Sequence, residues 1–217
     1  MQSRPEKSAI RNPQSEMKTI VIGGQARDIG KTTVAAGIIA ALPEFNWTAI
    51  KITGFGPEET ARYGNGFQLQ EEHGAEQPTD SSRFLQASAR RAFWLRVPFG
   101  KLGEAMPAFC RATAGAENLI VESNSILEFV EPDLYLVAVD SARSEFKQTA
   151  RRFLDRADAF VEVSSFKFQV PSLAEPGTWN SELGTWNPSK PVFLLDQERR
   201  VTKELADFIR ASLEGRR

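Results

Sequence analysis

Between residues 23 and 33 the chain reads Gly-Gly-Gln-Ala-Arg-Asp-Ile-Gly-Lys-Thr-Thr. Glycines let a backbone fold into a nest whose N–H groups point inward at an anion. A helix beginning near Lys31 would add its free N–H groups and its dipole to the same point. Lys31 supplies an ammonium for the β and γ oxygens of a nucleotide, and the Thr32 hydroxyl suits a Mg²⁺ position. The candidate nucleotide-binding stretch is therefore Gly24, Gln25, Ala26, Arg27, Asp28, Ile29, Gly30, Lys31, Thr32 and Thr33, with ATP or GTP as ligand and Mg²⁺ as cofactor. Arg27 lies inside the loop, where it either neutralises transition-state charge or projects into water. Asp28 sits so near the phosphates that it needs Mg²⁺ or Arg27 beside it.

A second set of charged residues falls where strands are expected to end. Glu122 closes the apolar run Asn118-Leu-Ile-Val-Glu122, and hard cations prefer such carboxylate oxygens, so Glu122 is the main candidate partner of Thr32 at the metal. Asp140 closes Leu134-Tyr-Leu-Val-Ala-Val-Asp140 and is read as the cap of a following helix. Asp80 is either a further metal or substrate contact or the N-cap of a helix beginning at Ser81. Lys51 is an anion contact or a snorkelling lysine at a strand end. Arg83 is a phosphate contact or a solvated side chain. Lys31, Lys51 and Arg27 are the candidate catalytic residues; Thr32, Glu122 and Asp80 are the candidate metal ligands.

Positioning these groups requires strands and helices in alternation. Apolar, β-branched runs at Lys18–Gly23, Trp47–Thr53, Ala92–Val97, Asn118–Glu122, Leu134–Asp140, Ala159–Val163 and Val192–Leu195 read as buried strands. Helices are predicted over 32–42, 81–91, 101–113, 143–156 and 200–214, and Gly54–Thr79 reads as a long, mobile loop. Solidly apolar strands between amphipathic helices mean an α/β fold, a mostly parallel sheet with helices on both faces. Ligands of such sheets bind beyond the carboxyl ends of the strands, where the glycines and carboxylates fall. Gly177-Thr-Trp-Asn180 recurs as Gly184-Thr-Trp-Asn187 and reads as an aromatic-bearing loop or hairpin.

The chain has 217 residues, of which 41% are hydrophobic and 25% charged, which suits one globular domain over 17–217 after a polar tail at 1–16. A net charge of −1 favours no nucleic-acid or membrane partner. One cysteine, Cys110, and one histidine, His73, argue against disulfides and zinc. The absence of an apolar run near 20 residues points to the cytoplasm. The paired arginines 90–91, 151–152 and 199–200 read as solvated helix faces. No Asn-Lys-x-Asp guanine signature occurs, and Asn187 or the segment after Val163 is a candidate contact for the base.

Five residues separate Gly24 from Gly30, one more than the usual four, and this spacing resembles the phosphate loop of dethiobiotin synthetase. The order Ala49-Ile50-Lys51, Asp80-Ser81-Ser82-Arg83, Ala87-Ser88-Ala89 and Leu119-Ile-Val-Glu122 resembles the molybdopterin-guanine dinucleotide biosynthesis protein B family. Both belong, with nitrogenase iron protein, to one class of P-loop NTPases, which implies the three-layer P-loop NTPase fold. Ile52 stands where the second family usually has histidine, and Ser123-Asn124-Ser125 replaces its glycine-rich segment. The resemblance implies two functions: an NTP-hydrolysing accessory or switch protein with a protein partner, or an ATP-dependent ligase, cyclase or kinase with a small-molecule substrate. It also implies a homodimer.

Overall fold

The computed structural model describes residues 17–76, 79–143, 146–163 and 190–215. Eight strands form one sheet in the order β3-β4-β2-β5-β1-β6-β7-β8. They are β1 (Lys18–Gly24), β2 (Trp47–Phe55), β3 (Gln68–Glu72), β4 (Arg91–Pro98), β5 (Asn118–Glu122), β6 (Leu134–Val139), β7 (Ala159–Glu162) and β8 (Val192–Leu194). Every pairing is parallel except β3 with β4. The helices are α1 (Lys31–Ala41), α2 (Thr60–Tyr63), α3 (Ser82–Gln86), α4 (Leu102–Thr113), α5 (Gln148–Arg151) and α6 (Lys203–Glu214).

Alternation along the central strands divides the core into two layers. Ile20 and Ile22 of β1, with Leu134, Leu136 and Ala138 of β6, face α1, α3 and α6, where Val34, Ile38, Phe84, Leu205 and Ile209 meet them. Val21, Tyr135, Val137 and Val139 face the other way, onto Leu102, Ala105, Met106 and Phe109 of α4 and onto Phe153 and Leu154. Both faces are apolar because helices cover both, as a parallel sheet demands. The result is the expected three-layer α/β arrangement. Among the described residues no helix is long and apolar enough to cross a membrane.

Three expectations need correction. The 54–79 stretch is not one long loop: β2 runs on to Phe55, α2 follows, and β3 pairs antiparallel with β4. β3 is an edge strand held by polar cross-strand contacts, a two-pronged Arg91–Glu71 pair at 2.8 and 3.1 Å and an Arg96–Gln70 bond at 3.0 Å. Its sequence, Gln-Leu-Gln-Glu-Glu, therefore lacks the apolar signal of an inner strand. The helix predicted over 143–156 is only the single turn α5 followed by a tight 3₁₀ turn at Leu154–Arg156. Helix α3 ends at Gln86, not Arg91, and Ser88 beyond it takes φ 75°. The tail at 1–16, the two Gly-Thr-Trp-Asn copies, Asn187 and the segment after Val163 lie outside the described residues.

Candidate functional site

β1 ends in Gly24, and the chain then turns through six residues into α1. Asp28 at φ 56° and Gly30 at φ 100° both take left-handed backbone conformations. The extra residue of the loop is accommodated by this pair of left-handed turns, at a cost of roughly 1 kcal/mol for the non-glycine one. Helix α1 begins without a side-chain cap and without an acidic residue in its first turn, so its free N–H groups have no competing side-chain acceptor. Lys31 folds back over the loop, and its ammonium donates to the Ala26 carbonyl at 3.0 Å. The lysine stem crosses so close to Gly24 that a Cβ there would stand 2.7 Å from Lys31 Cγ. Burial pushes the Lys31 ammonium below the ordinary lysine range; Glu122 opposes that shift, while Lys147 and Lys51 reinforce it.

Glu122 and Lys51 arrive beside Thr32 by register. Glu122 is level with Ile22 on one side and with Lys51 on the other. Parallel partners at one register position point to the same face, here the face of α1. The Thr32 hydroxyl donates to Glu122 Oε2 at 2.7 Å. The Lys51 ammonium lies 3.2 Å from the Thr32 hydroxyl, 3.4 Å from Glu122 Oε1 and 2.5 Å from Asp80 Oδ2. Lys51 is thus four residues short of its strand's end, yet it lies at the working edge because β5 stops at Glu122.

Asp80 does not cap α3, whose N-cap is Ser81; its carboxylate, 56% exposed, holds Lys51 instead. The turn that carries it is fixed from below by Glu72 of β3. That carboxylate is buried and accepts hydrogen bonds from the Thr79 hydroxyl at 3.1 Å and from the Ser81 hydroxyl. Arg83 donates to the Thr33 hydroxyl at 3.2 Å, tying α3 to the first turn of α1. Asp140 caps no helix, because none begins at Ser141; its side chain closes a turn instead, accepting from the Ala142 amide at 3.0 Å and pairing with Arg143 at 3.3 Å. Arg27 is exposed at the loop's surface.

An open cleft of about 960 Å³ joins these groups. Arg27, Lys31, Thr32, Lys51, Asp80, Arg83 and Glu122 line it, and so do Lys147, Arg199, Trp94, Phe99 and Phe129, which the sequence reading did not single out for the site. Arg199 is not on a helix face as expected; it sits in the turn before α6 at φ 61°. A Cβ on Gly30 would lie 3.2 Å from its guanidinium. Among the described residues, no three or more His, Cys, Asp or Glu side chains converge as a metal cage. The donor set nonetheless fits Mg²⁺: the Thr32 and Glu122 oxygens, 2.7 Å apart, are near the roughly 2.9 Å between neighbours in an octahedron with 2.0–2.1 Å bonds. Mg²⁺ is commonly held by one or two such protein oxygens, with phosphates and water completing the shell.

Asn124 has an importance that its sequence position does not advertise. Beyond Glu122 the chain continues alongside β1, with the Ser123 amide donating to the Ile22 carbonyl at 3.1 Å. The Asn124 side chain then accepts from the Gly24 amide at 2.8 Å and donates to the Gly24 carbonyl at 2.9 Å. It imitates one more residue of strand pairing and fastens the start of the Gly24–Thr33 loop. Asn124→Ala is expected to lower stability by about 1–3 kcal/mol, because both Gly24 groups lose a partner. Chemical denaturation measures that loss; unchanged stability would show the two bonds to be idle.

No protein-family model matches the chain, and no curated protein matches it in sequence. Among solved structures, HypB from Helicobacter pylori in complex with nickel superposes on 92% of this chain and 89% of its own, with TM-score 0.52 and 13% identity. The fold is that of a P-loop NTPase. LAO/AO transport system kinase gives a TM-score of 0.46 at 19% identity over 92% of this chain, and LpxK from Aquifex aeolicus in complex with ATP gives 0.46 at 13% identity over 82%. The chain spans 61% of the former's length and 53% of the latter's.

Proposed function

We propose that this chain binds a nucleoside triphosphate with Mg²⁺ at the loop Gly24–Thr33 and hydrolyses it as an accessory or switch protein. The observation that carries the reading is the Thr32–Glu122 bond of 2.7 Å directly below an uncapped helix start, with Lys31 folded over the loop. A buried carboxylate bonded to a hydroxyl at a phosphate-loop mouth has a purpose in metal–phosphate chemistry that simple packing does not require. Lys31 would exchange the Ala26 carbonyl for β and γ oxygens, a charge-assisted bond in place of a neutral one. The amides of the loop and of the first turn of α1 would take the remaining oxygens.

Mg²⁺, when bound by Thr32 and Glu122, supplies charge neutralisation to the β and γ phosphates. The chain's own residues position the reaction. A water oxygen attacks the γ phosphorus, the bond from that phosphorus to the β–γ bridging oxygen breaks, the nucleoside diphosphate leaves, and the water's proton passes to an oxygen of the released phosphate. Lys31 would stabilise the charge gained by the bridging oxygen, and Lys51 and Arg27, which line the same cleft, would answer the charge spread over the terminal phosphoryl group. The nickel named with HypB is not carried over, since one histidine and one cysteine in the sequence offer no set of N and S ligands.

The aromatic end of the cleft favours a second reading. Trp94, level with Lys51 on the neighbouring strand, lines the cleft together with Phe99 and Phe129, an apolar wall that the phosphates themselves do not use. In this version ATP activates a small substrate seated there, as in a ligase, cyclase or kinase.

Calorimetric titration with ATP and GTP, with and without Mg²⁺, tests the common part. Binding tightened by Mg²⁺ is expected; no affinity for any purine triphosphate in the presence of Mg²⁺ would end both readings. Hydrolysis that needs no added small molecule separates the first from the second.

A further inference from the structure

The loop Gly24–Thr33 is buttressed by a segment that the nucleotide motif does not include. Gln25 is 1% exposed, and every polar group it owns is used on β6 and the residues that follow it. Its amide donates to the Ala138 carbonyl at 3.0 Å, and its carbonyl accepts from the Lys147 amide at 2.9 Å. Its side chain accepts from the Asp140 amide at 2.9 Å and donates to the Arg143 carbonyl at 2.7 Å. Four hydrogen bonds thus pin both ends of the 138–147 stretch to the second residue of the phosphate loop. What they deliver is Lys147, whose side chain stands in the cleft with Arg27, Asp28 and Lys31.

Three cations therefore gather over one short loop that carries a single carboxylate, Asp28. Partial desolvation, then the charge of Arg27, holds the Lys147 ammonium below its ordinary range. Among the described residues no hydrogen bond or ion pair engages the Lys147 ammonium, although Arg152, Arg200 and Arg210 each hold a carboxylate. A cluster of like charges built with this much backbone support is unfavourable alone and is offset by a polyanion.

We propose that Lys147 is a further phosphate-binding residue, contacting the terminal phosphate of the bound triphosphate, and that Gln25 is its positioning residue. The inference rests on the nucleotide reading and adds a contact that the Gly-Lys-Thr motif does not contain. Lys31 grips from the start of α1, and Lys147 closes the ring from beyond β6. Its contribution depends on ligand charge, because its ammonium meets the phosphate farthest from the nucleoside.

The test is calorimetry at fixed salt on wild type, Lys147→Gln and Lys147→Arg, with the nucleoside triphosphate that wild type binds, its diphosphate, and inorganic tripolyphosphate. Lys147→Gln should lose roughly tenfold in affinity for the triphosphate and for tripolyphosphate, the size of one charge-assisted contact, with less than threefold loss for the diphosphate. Lys147→Arg should restore at least half of the lost free energy. Melting temperatures should match wild type, because the bond to Gln25 is made by the Lys147 backbone and survives the change. Equal losses for triphosphate and diphosphate, or triphosphate affinity within twofold of wild type, would overturn the assignment while leaving the loop's own function standing. Wild type that binds no triphosphate would overturn the nucleotide reading and this inference together.

Discussion

Lys31→Ala is expected to reduce nucleotide turnover by roughly 10²–10³-fold or more, the scale seen when one preorganised donor to developing charge is removed. The folded state prepares this role at a cost. The ammonium is buried enough to disfavour its charge, its one hydrogen bond among the described residues is to a backbone carbonyl, and Lys51 and Lys147 repel it. Removing the side chain relieves that burden, so Lys31→Ala should keep or slightly raise its melting temperature. The same Lys31 stem passes close to Gly24, and its loss opens space there. Phosphate release and thermal melting on one preparation separate the two effects. Retained hydrolysis in a folded variant would remove Lys31 from the chemistry, whereas loss of both would make it a structural residue.

Most of the architecture is legible in the sequence because inner strands of a parallel sheet are solidly apolar. Ile20-Val-Ile22 and Leu134–Val139 allow no other placement once helices cover both faces. The Gly24–Thr33 turn between β1 and α1 is legible for a different reason: its glycines mark a sharp backbone turn before a helix, with Gly30 at φ 100°. What escaped the sequence depends on partners remote in the chain. β3 is polar because Arg91 and Arg96, some twenty residues later, carry its cross-strand pairs. Asp80 looks like a helix cap until Lys51 is found 2.5 Å away, drawn there by the register of β2 on β5. Asn124 replaces expected glycines, and only the continuation of β5 beside β1 shows that its amide does a backbone's work at Gly24. Gln25 and Lys147, 122 positions apart by their numbers (147 − 25), meet through one bond that no local pattern announces.

Glu122→Gln is the second change with a large expected effect, and its shape is chosen so that folding survives. Glu122 is 5% exposed and faces Lys51, which is itself only 13% exposed. Truncation to alanine would leave that ammonium half paired, and breaking a buried pair costs about 3–5 kcal/mol. Glutamine keeps an acceptor for the Thr32 hydroxyl and leaves Lys51 its bond to Asp80, so most of the stability remains. What glutamine removes is the negative charge that a hard cation needs. Turnover should fall by roughly 10²–10³-fold. Affinity for the triphosphate without metal should hold or rise, because a carboxylate no longer opposes the γ phosphate. The gain in affinity on adding Mg²⁺ should shrink to a small fraction of the wild-type gain. Paired titrations with and without Mg²⁺ read that gain directly. If it equals the wild-type gain, Glu122 serves only to anchor Thr32 and Lys51, and the metal must draw on Asp80 or on phosphates and water alone. If it vanishes while stability stands, the carboxyl end of β5 is the metal's protein anchor.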